Sequence, residues 1–119
     1  MVEQSAQGKV QGTTEVSEDV ICDMVGYAAM GSYGIVGMAS PNVADGIAQL
    51  LPMHKLRRGI VLHNDEDEVS VDLHVIIEHG TNLTVVSENL ANSVRYVLTE
   101  YAQLPVKDVA IHIEGIKVR

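Results

Sequence analysis

The chain has 119 residues, enough for one domain that buries about two-thirds of its unfolded surface and needs neither a disulfide nor a metal to fold. With 16 acidic against 8 basic residues its formal charge is −8, which opposes binding to nucleic acid or to anionic lipid. The apolar share of 46% contains no Phe and no Trp, so the core is aliphatic and stacking of bases on aromatic rings is disfavoured.

Residues 1–12 are polar and hold Gly8 and Gly12, which predicts a flexible N-terminal tail followed by a single domain over 13–119. No charged segment leads into an apolar run at the N-terminus, so no signal peptide is expected. No run approaches the ~18 apolar residues of a membrane span, and the single Cys22 points to a reducing compartment. These features predict a cytoplasmic protein that reaches a membrane only through a partner.

Thr13–Val16 can form a short edge strand. Ser17 is placed to cap a helix, with Glu18 and Asp19 favouring its positive end. Val20, Ile21, Met24, Val25, Ala28 and Ala29 then follow at helical spacing, and Gly31 and Gly34 end the helix. Ile35–Ala39 reads as a short buried strand. After Pro41, the residues Val43, Ile47, Leu50 and Leu51 predict a second, shorter helix that Pro52 stops. His54-Lys-Leu-Arg-Arg58 is the only basic cluster and reads as a solvated linker.

Gly59–His63 predicts a strand, and the charged turn Asn64–Asp67 joins it to a long one as an antiparallel hairpin. In that long strand Val69, Val71, Leu73, Val75 and Ile77 alternate, the pattern of one buried face. Leu83, Val86, Leu90, Val94, Val97, Leu98 and Tyr101 trace a third helix over 83–102, with Thr84 as its cap. Val109, Ile111 and Ile113 alternate in a last strand. The order β-α-β-α-β-β-α-β predicts an α+β fold: a mixed, mainly antiparallel sheet of about five strands with three helices on one face.

The polar face of the long strand carries Ser70, Asp72, His74, Ile76 and Glu78, and that of the last strand carries Ala110, His112 and Glu114. If the two strands are neighbours, Asp72, His74, His112 and Glu114 have the chemistry to hold Zn²⁺ or to exchange protons near neutrality. The same face, with Ile76 and Glu78, also reads as a surface for meeting a second copy or another protein, and that reading is preferred. The remaining motifs carry less. Gly31–Gly37 follows a helix and enters a strand, the reverse of a phosphate loop. Cys22 has acidic neighbours that oppose a thiolate. Asn82-Leu-Thr84 is a glycosylation sequon that a cytoplasmic chain never exposes to that machinery. No serine sits on a glycine elbow and the five histidines form no metalloprotease pair, so no catalytic residue and no cofactor is predicted.

Several segments together resemble one family. Ser17-Glu-Asp-Val20, Gly34-Ile-Val-Gly-Met38, Val71-Asp-Leu-His-Val-Ile-Ile-Glu-His-Gly80, Asn82-Leu-Thr-Val-Val-Ser-Glu-Asn-Leu90 and Val109-Ala-Ile-His-Ile-Glu-Gly-Ile116 are similar, in order and spacing, to the Asp23 (alkaline shock protein) family, also called DUF322 or YloU-like. The family name is unrelated to residue Asp23 of this chain. Thr84 and Tyr33 stand where members often have Pro, and a glycine common after the long helix is missing near Ala102-Gln103. These departures fall on caps and turns. The resemblance implies a non-enzymatic protein of Gram-positive bacteria, tied to stress response and the cell envelope, that self-associates and can sit at the membrane through an anchored partner.

Overall fold

The computed structural model describes residues 17–41, 49–65 and 67–118. The tail at 1–12, the edge strand at Thr13–Val16 and the Val43–Ile47 part of the second helix lie outside those residues. The described chain runs α1 (Glu18–Met30), β1 (Ile35–Met38), a 3₁₀ helix (Met53–Gly59), β2 (Ile60–Asp65), β3 (Glu68–Glu78), α2 (Leu83–Glu100) and β4 (Val106–Lys117).

Local chemistry sets the helix starts. Ser17 Oγ accepts from the Val20 amide at 3.3 Å, satisfying one of the free donors of the first turn of α1. Asn82 Oδ1 does the same for Val85 at 3.1 Å, so Asn82, not Thr84, caps α2. After α1 the chain reverses through Gly34, whose φ of +79° favours glycine.

The sheet has four strands among the described residues; of the about five expected, the one at Thr13–Val16 lies outside those residues. β3 is its axis. On one side β2 pairs antiparallel with the first half of β3, from Asp65↔Glu68 to Ile60↔Leu73. On that same side β1 pairs antiparallel with the second half, from Met38↔Val75 to Ile35↔Ile77. β1 and β2 therefore lie end to end, meeting where a side chain on Gly59 would come 2.8 Å from the Ala39 carbonyl. On the other side β4 runs parallel to β3 along its full length, from Val69↔Val106 to Glu78↔Lys117. The sheet is mixed, as expected, with β4 as its parallel member. α1 begins at the hairpin end of the sheet, where Asn64 Nδ2 donates to Glu18 Oε2 at 2.9 Å, and β4 finishes at the opposite end.

Val69, Val71, Leu73, Val75 and Ile77 are buried under the helices, as their alternation predicts. Ile21, Val25 and Ala29 of α1 meet them, together with Val86, Leu90, Val94 and Leu98 of α2, a row at every fourth residue. Each of the Val, Leu and Ile side chains among these contributes about 1.5–3 kcal/mol by leaving water. α1 covers β1 and β2, and α2 covers β4. Val20, Leu83 and Tyr101 were expected on these stripes, but all three are exposed, because each lies at the flank or end of its helix.

Two segments differ from expectation. Leu50 and Leu51, predicted on the second helix, are extended: Leu50 bridges Ala39, and the Leu51 amide donates to the Met38 carbonyl at 2.9 Å. The basic cluster is not a linker. Pro52 leads into a 3₁₀ helix whose Leu56 packs beside Ile60 over Gly26 of α1.

Candidate functional site

The face of the sheet turned away from α1 and α2 gathers the chemistry. Parallel pairing sets His74 beside His112 and Asp72 beside Ala110. The two imidazoles stack with centroids 4.6 Å apart and planes 12° from parallel. His74 Nδ1 lies 2.6 Å from Glu114 Oε2, a short contact of the kind that charge assistance produces. His112 Nε2 lies 3.4 Å from Asp72 Oδ1, and Asp72 Oδ2 accepts from His63 Nε2 at 2.9 Å. The result is a continuous chain, His63–Asp72–His112–His74–Glu114, across β2, β3 and β4. It is graded in depth: the His74 side chain is 12% exposed, Glu114 25%, Asp72 31%, His112 47% and His63 54%. The hydrogen bond from His63, with a smaller one from His112, holds the Asp72 carboxyl below its ordinary range against partial burial.

Asp72, His74, His112 and Glu114 are thus brought together. His74 Nδ1 is engaged by Glu114 and His112 Nε2 by Asp72, and among the described residues no three His, Cys, Asp or Glu side chains converge on a point that a metal ion could fill. His63 completes the chain and was missed. Its signal was the hairpin register: pairing Asp65 with Glu68 sets His63 opposite Ser70 and diagonal to Asp72.

Ile76 corrects an expectation. It was predicted as an exposed apolar residue of this contact surface, but it is fully buried. Its neighbours in the ladder are Gly37 on β1 and Gly115 on β4, beside an irregularity in the β4 register. Leu50 Cδ2 occupies the space over Gly37, 2.6 Å from where a side chain there would begin. The Leu50 segment thus folds onto this face, and a residue that period two assigns to solvent becomes part of the interior. Glu78 is half-buried at the edge of the same face.

The other candidates have structural roles. Arg57 donates to both oxygens of Asp23 at 2.7 and 2.8 Å and lies 3.3 Å from Asp19. This fork pins the 3₁₀ helix to α1 and lowers the Asp23 carboxyl. Burial, followed by the charges of Asp19, Glu18 and Asp23, pushes the Cys22 thiol up, away from reactivity. On the helix side, α1 and α2 leave an open groove of about 430 Å³, lined by Tyr27, Gly31, Asn92, Ser93 and Tyr96. Every tyrosine of the chain is on the surface: Tyr27, Tyr33, Tyr96 and Tyr101.

The class this defines is an α+β protein with a helix-covered sheet, an aliphatic core and a histidine–carboxylate chain on the open sheet face. The chain belongs to the Asp23 family, whose model, described as having a cell envelope-related function, matches residues 6–118. It is 32% identical over 108 residues to the uncharacterized protein YloU of Bacillus subtilis (strain 168), covering 90% of each chain. It is similar also to two uncharacterized proteins of Streptococcus pyogenes serotype M6. Spy1614 is 32% identical over 90% of this chain and 89% of its own, and Spy1535 is 27% identical over 88% and 79%. No solved structure matches. Among the described residues no helix is long and apolar enough to cross a membrane.

Proposed function

We propose that this protein acts without catalysis in envelope homeostasis under stress, as a cytoplasmic protein of a Gram-positive bacterium that associates with itself and with a protein partner, in some settings a membrane-anchored one. The observation that carries the reading is the family match across residues 6–118, with its cell envelope-related function. The surface supports it. The interior is filled with Val, Leu, Ile and Met, while the tyrosines stand exposed, Tyr27 by 74% and Tyr101 by 66%. Tyrosine is the residue whose rigid ring most often anchors protein contacts. The helix layer is the better candidate for self-association, because its charges nearly cancel: Glu18, Asp19, Asp23, Glu88 and Glu100 against Lys55, Arg57, Arg58 and Arg95.

Sedimentation velocity over a concentration series tests the first half of the reading. Association is expected to rise with concentration and to weaken in a Tyr27→Ser/Tyr96→Ser double variant. A monomer at every concentration sinks it. The sequence also allowed a metal- or ligand-binding module at Asp72, His74, His112 and Glu114. No observed geometry favours that alternative, since those groups bond one another.

A further inference from the structure

The open face of the sheet differs from the helix layer in charge. Register places Glu68, Asp72 and Glu78 of β3 and Asp108 and Glu114 of β4 on it, against Lys117. The histidines His63, His74 and His112 share that face, and β1 and the Leu50–Leu51 segment add no titratable group to it. A second copy of the same face would set these carboxylates against their own kind, so the surface is unsuited to self-association. It suits a cation-rich one. We propose that this face is a docking surface for a basic segment of a protein partner, and that proton uptake by His63, His74 and His112 releases that segment. The inference rests on the reading that the protein works by binding protein partners, and it names the surface, the partner's chemistry and the control.

The geometry supplies the control. With the imidazoles neutral, no positive charge faces Asp72 and Glu114 within the histidine chain, and together with Glu68 and Asp108 they attract lysine and arginine side chains. Imidazole is the side chain whose ordinary titration falls between pH 5 and 8. A proton on any of the three rings places a positive charge within hydrogen-bond reach of one of those carboxylates and directly in the path of the partner's cations. The stacked pair His74–His112 joins the two carboxylates, so a proton taken up at one end is felt at the other. His63 and His112 are about half exposed, so protons reach them without unfolding.

The experiment uses the full chain and a fluorescein-labelled (Arg-Ser)₆ peptide, whose charge is constant across the range. Anisotropy is measured at pH 8.0 and 5.5, at fixed ionic strength. The peptide is expected to bind at pH 8.0 and to bind at least about tenfold more weakly at pH 5.5, as positive charge is added beside the contact. Amide shift mapping should place it on β3 and β4. A His63→Gln/His112→Gln double variant, at the more exposed positions, should lose most of the pH dependence, read as the ratio of its own affinities at pH 8.0 and 5.5. A triple variant adding His74→Gln should lose the rest, with its melting curve confirming that it folds. His54→Gln, on the 3₁₀ helix, should behave as wild type, and Asp72→Asn/Glu114→Gln should weaken binding at pH 8.0. Equal affinity at the two pH values, or an unchanged pH dependence in the double variant, overturns the proton control. Shifts confined to α1 and α2 overturn the surface. Neither result touches self-association, which sedimentation reads separately.

Discussion

Asp72 and the glycines show how single positions are decided by their surroundings. The Asp72 carboxyl has a folded-state pKa below its unfolded one, chiefly through the bond from His63. Its stabilisation is therefore present above the unfolded value of about 3.9 and is lost as pH falls through the folded value. Asp72→Asn should cost about 1 kcal/mol at pH 6 in urea denaturation, and the gap to wild type should narrow steadily between pH 5 and 3. Gly59 and Gly37 form a second contrast. A methyl on Gly59 would meet the Ala39 backbone carbonyl at 2.8 Å, where neither end can yield without separating β1 from β2. A methyl on Gly37 would meet only the tip of Leu50, at 2.6 Å, which can turn aside. Gly59→Ala should therefore cost about 2–3 kcal/mol, and Gly37→Ala no more than about 1 kcal/mol. Equal losses in thermal melting would contradict this account.

At the level of elements, α1 is less stable than it need be. Gly26 is buried in mid-helix, and a methyl there would find Ile60 Cδ1 at 3.5 Å and Leu56 at 3.6 Å, ordinary contact distances. Gly26→Ala should stabilise the protein by about 0.5–1 kcal/mol, visible as a raised denaturation midpoint. Asn82→Ala removes the cap of α2 and should cost about 1 kcal/mol, while Thr84→Ala should be nearly neutral. What was legible in the sequence follows the range of the interactions. The alternation in β3 and the stripe in α2 are local patterns, and Val69, Val71, Leu73, Val75 and Ile77 with Val86, Leu90, Val94 and Leu98 are buried as read, whereas Leu83 and Tyr101 are exposed. The hairpin was legible too, because its turn and both strands are contiguous. The parallel partnership of β3 with β4 joins residues some forty positions apart, which no local pattern encodes. The burial of Ile76 needs two glycines from other strands and the side chain of Leu50. His74 and His112 were legible as residues of interest, but their stacking was not, since it depends on the β3–β4 register. The chain His63–Asp72–His112–His74–Glu114 became visible only with all three strands in place.

For the whole molecule, the division of charge between the two layers sets different expectations for the two proposed associations. The helix layer is near neutrality and bears Tyr27, Tyr96 and Tyr101, whereas the open sheet face is acidic. Self-association through the helix layer should therefore be nearly indifferent to ionic strength, while capture of a basic peptide should fall steeply between 50 and 300 mM salt. Paired measurements on one preparation check this, and the same salt response for both processes would mean that they share a surface. With this overall balance of charge, flotation with anionic vesicles should recover none of the purified protein unless an anchored partner is added.

The path of the chain through the sheet has a mechanical consequence. The first helix starts beside the hairpin, and the last strand, parallel to the central one, ends at the far side. Tension applied between Ser17 and Val118 thus runs along the strands, loading the whole β3–β4 ladder in shear instead of peeling it bond by bond. A pull between Asp67 and Val106, both at the hairpin end, would open the ladder one pair at a time. The first geometry should require the larger force in single-molecule extension, so a protein held at one end and anchored at the other would resist being drawn apart.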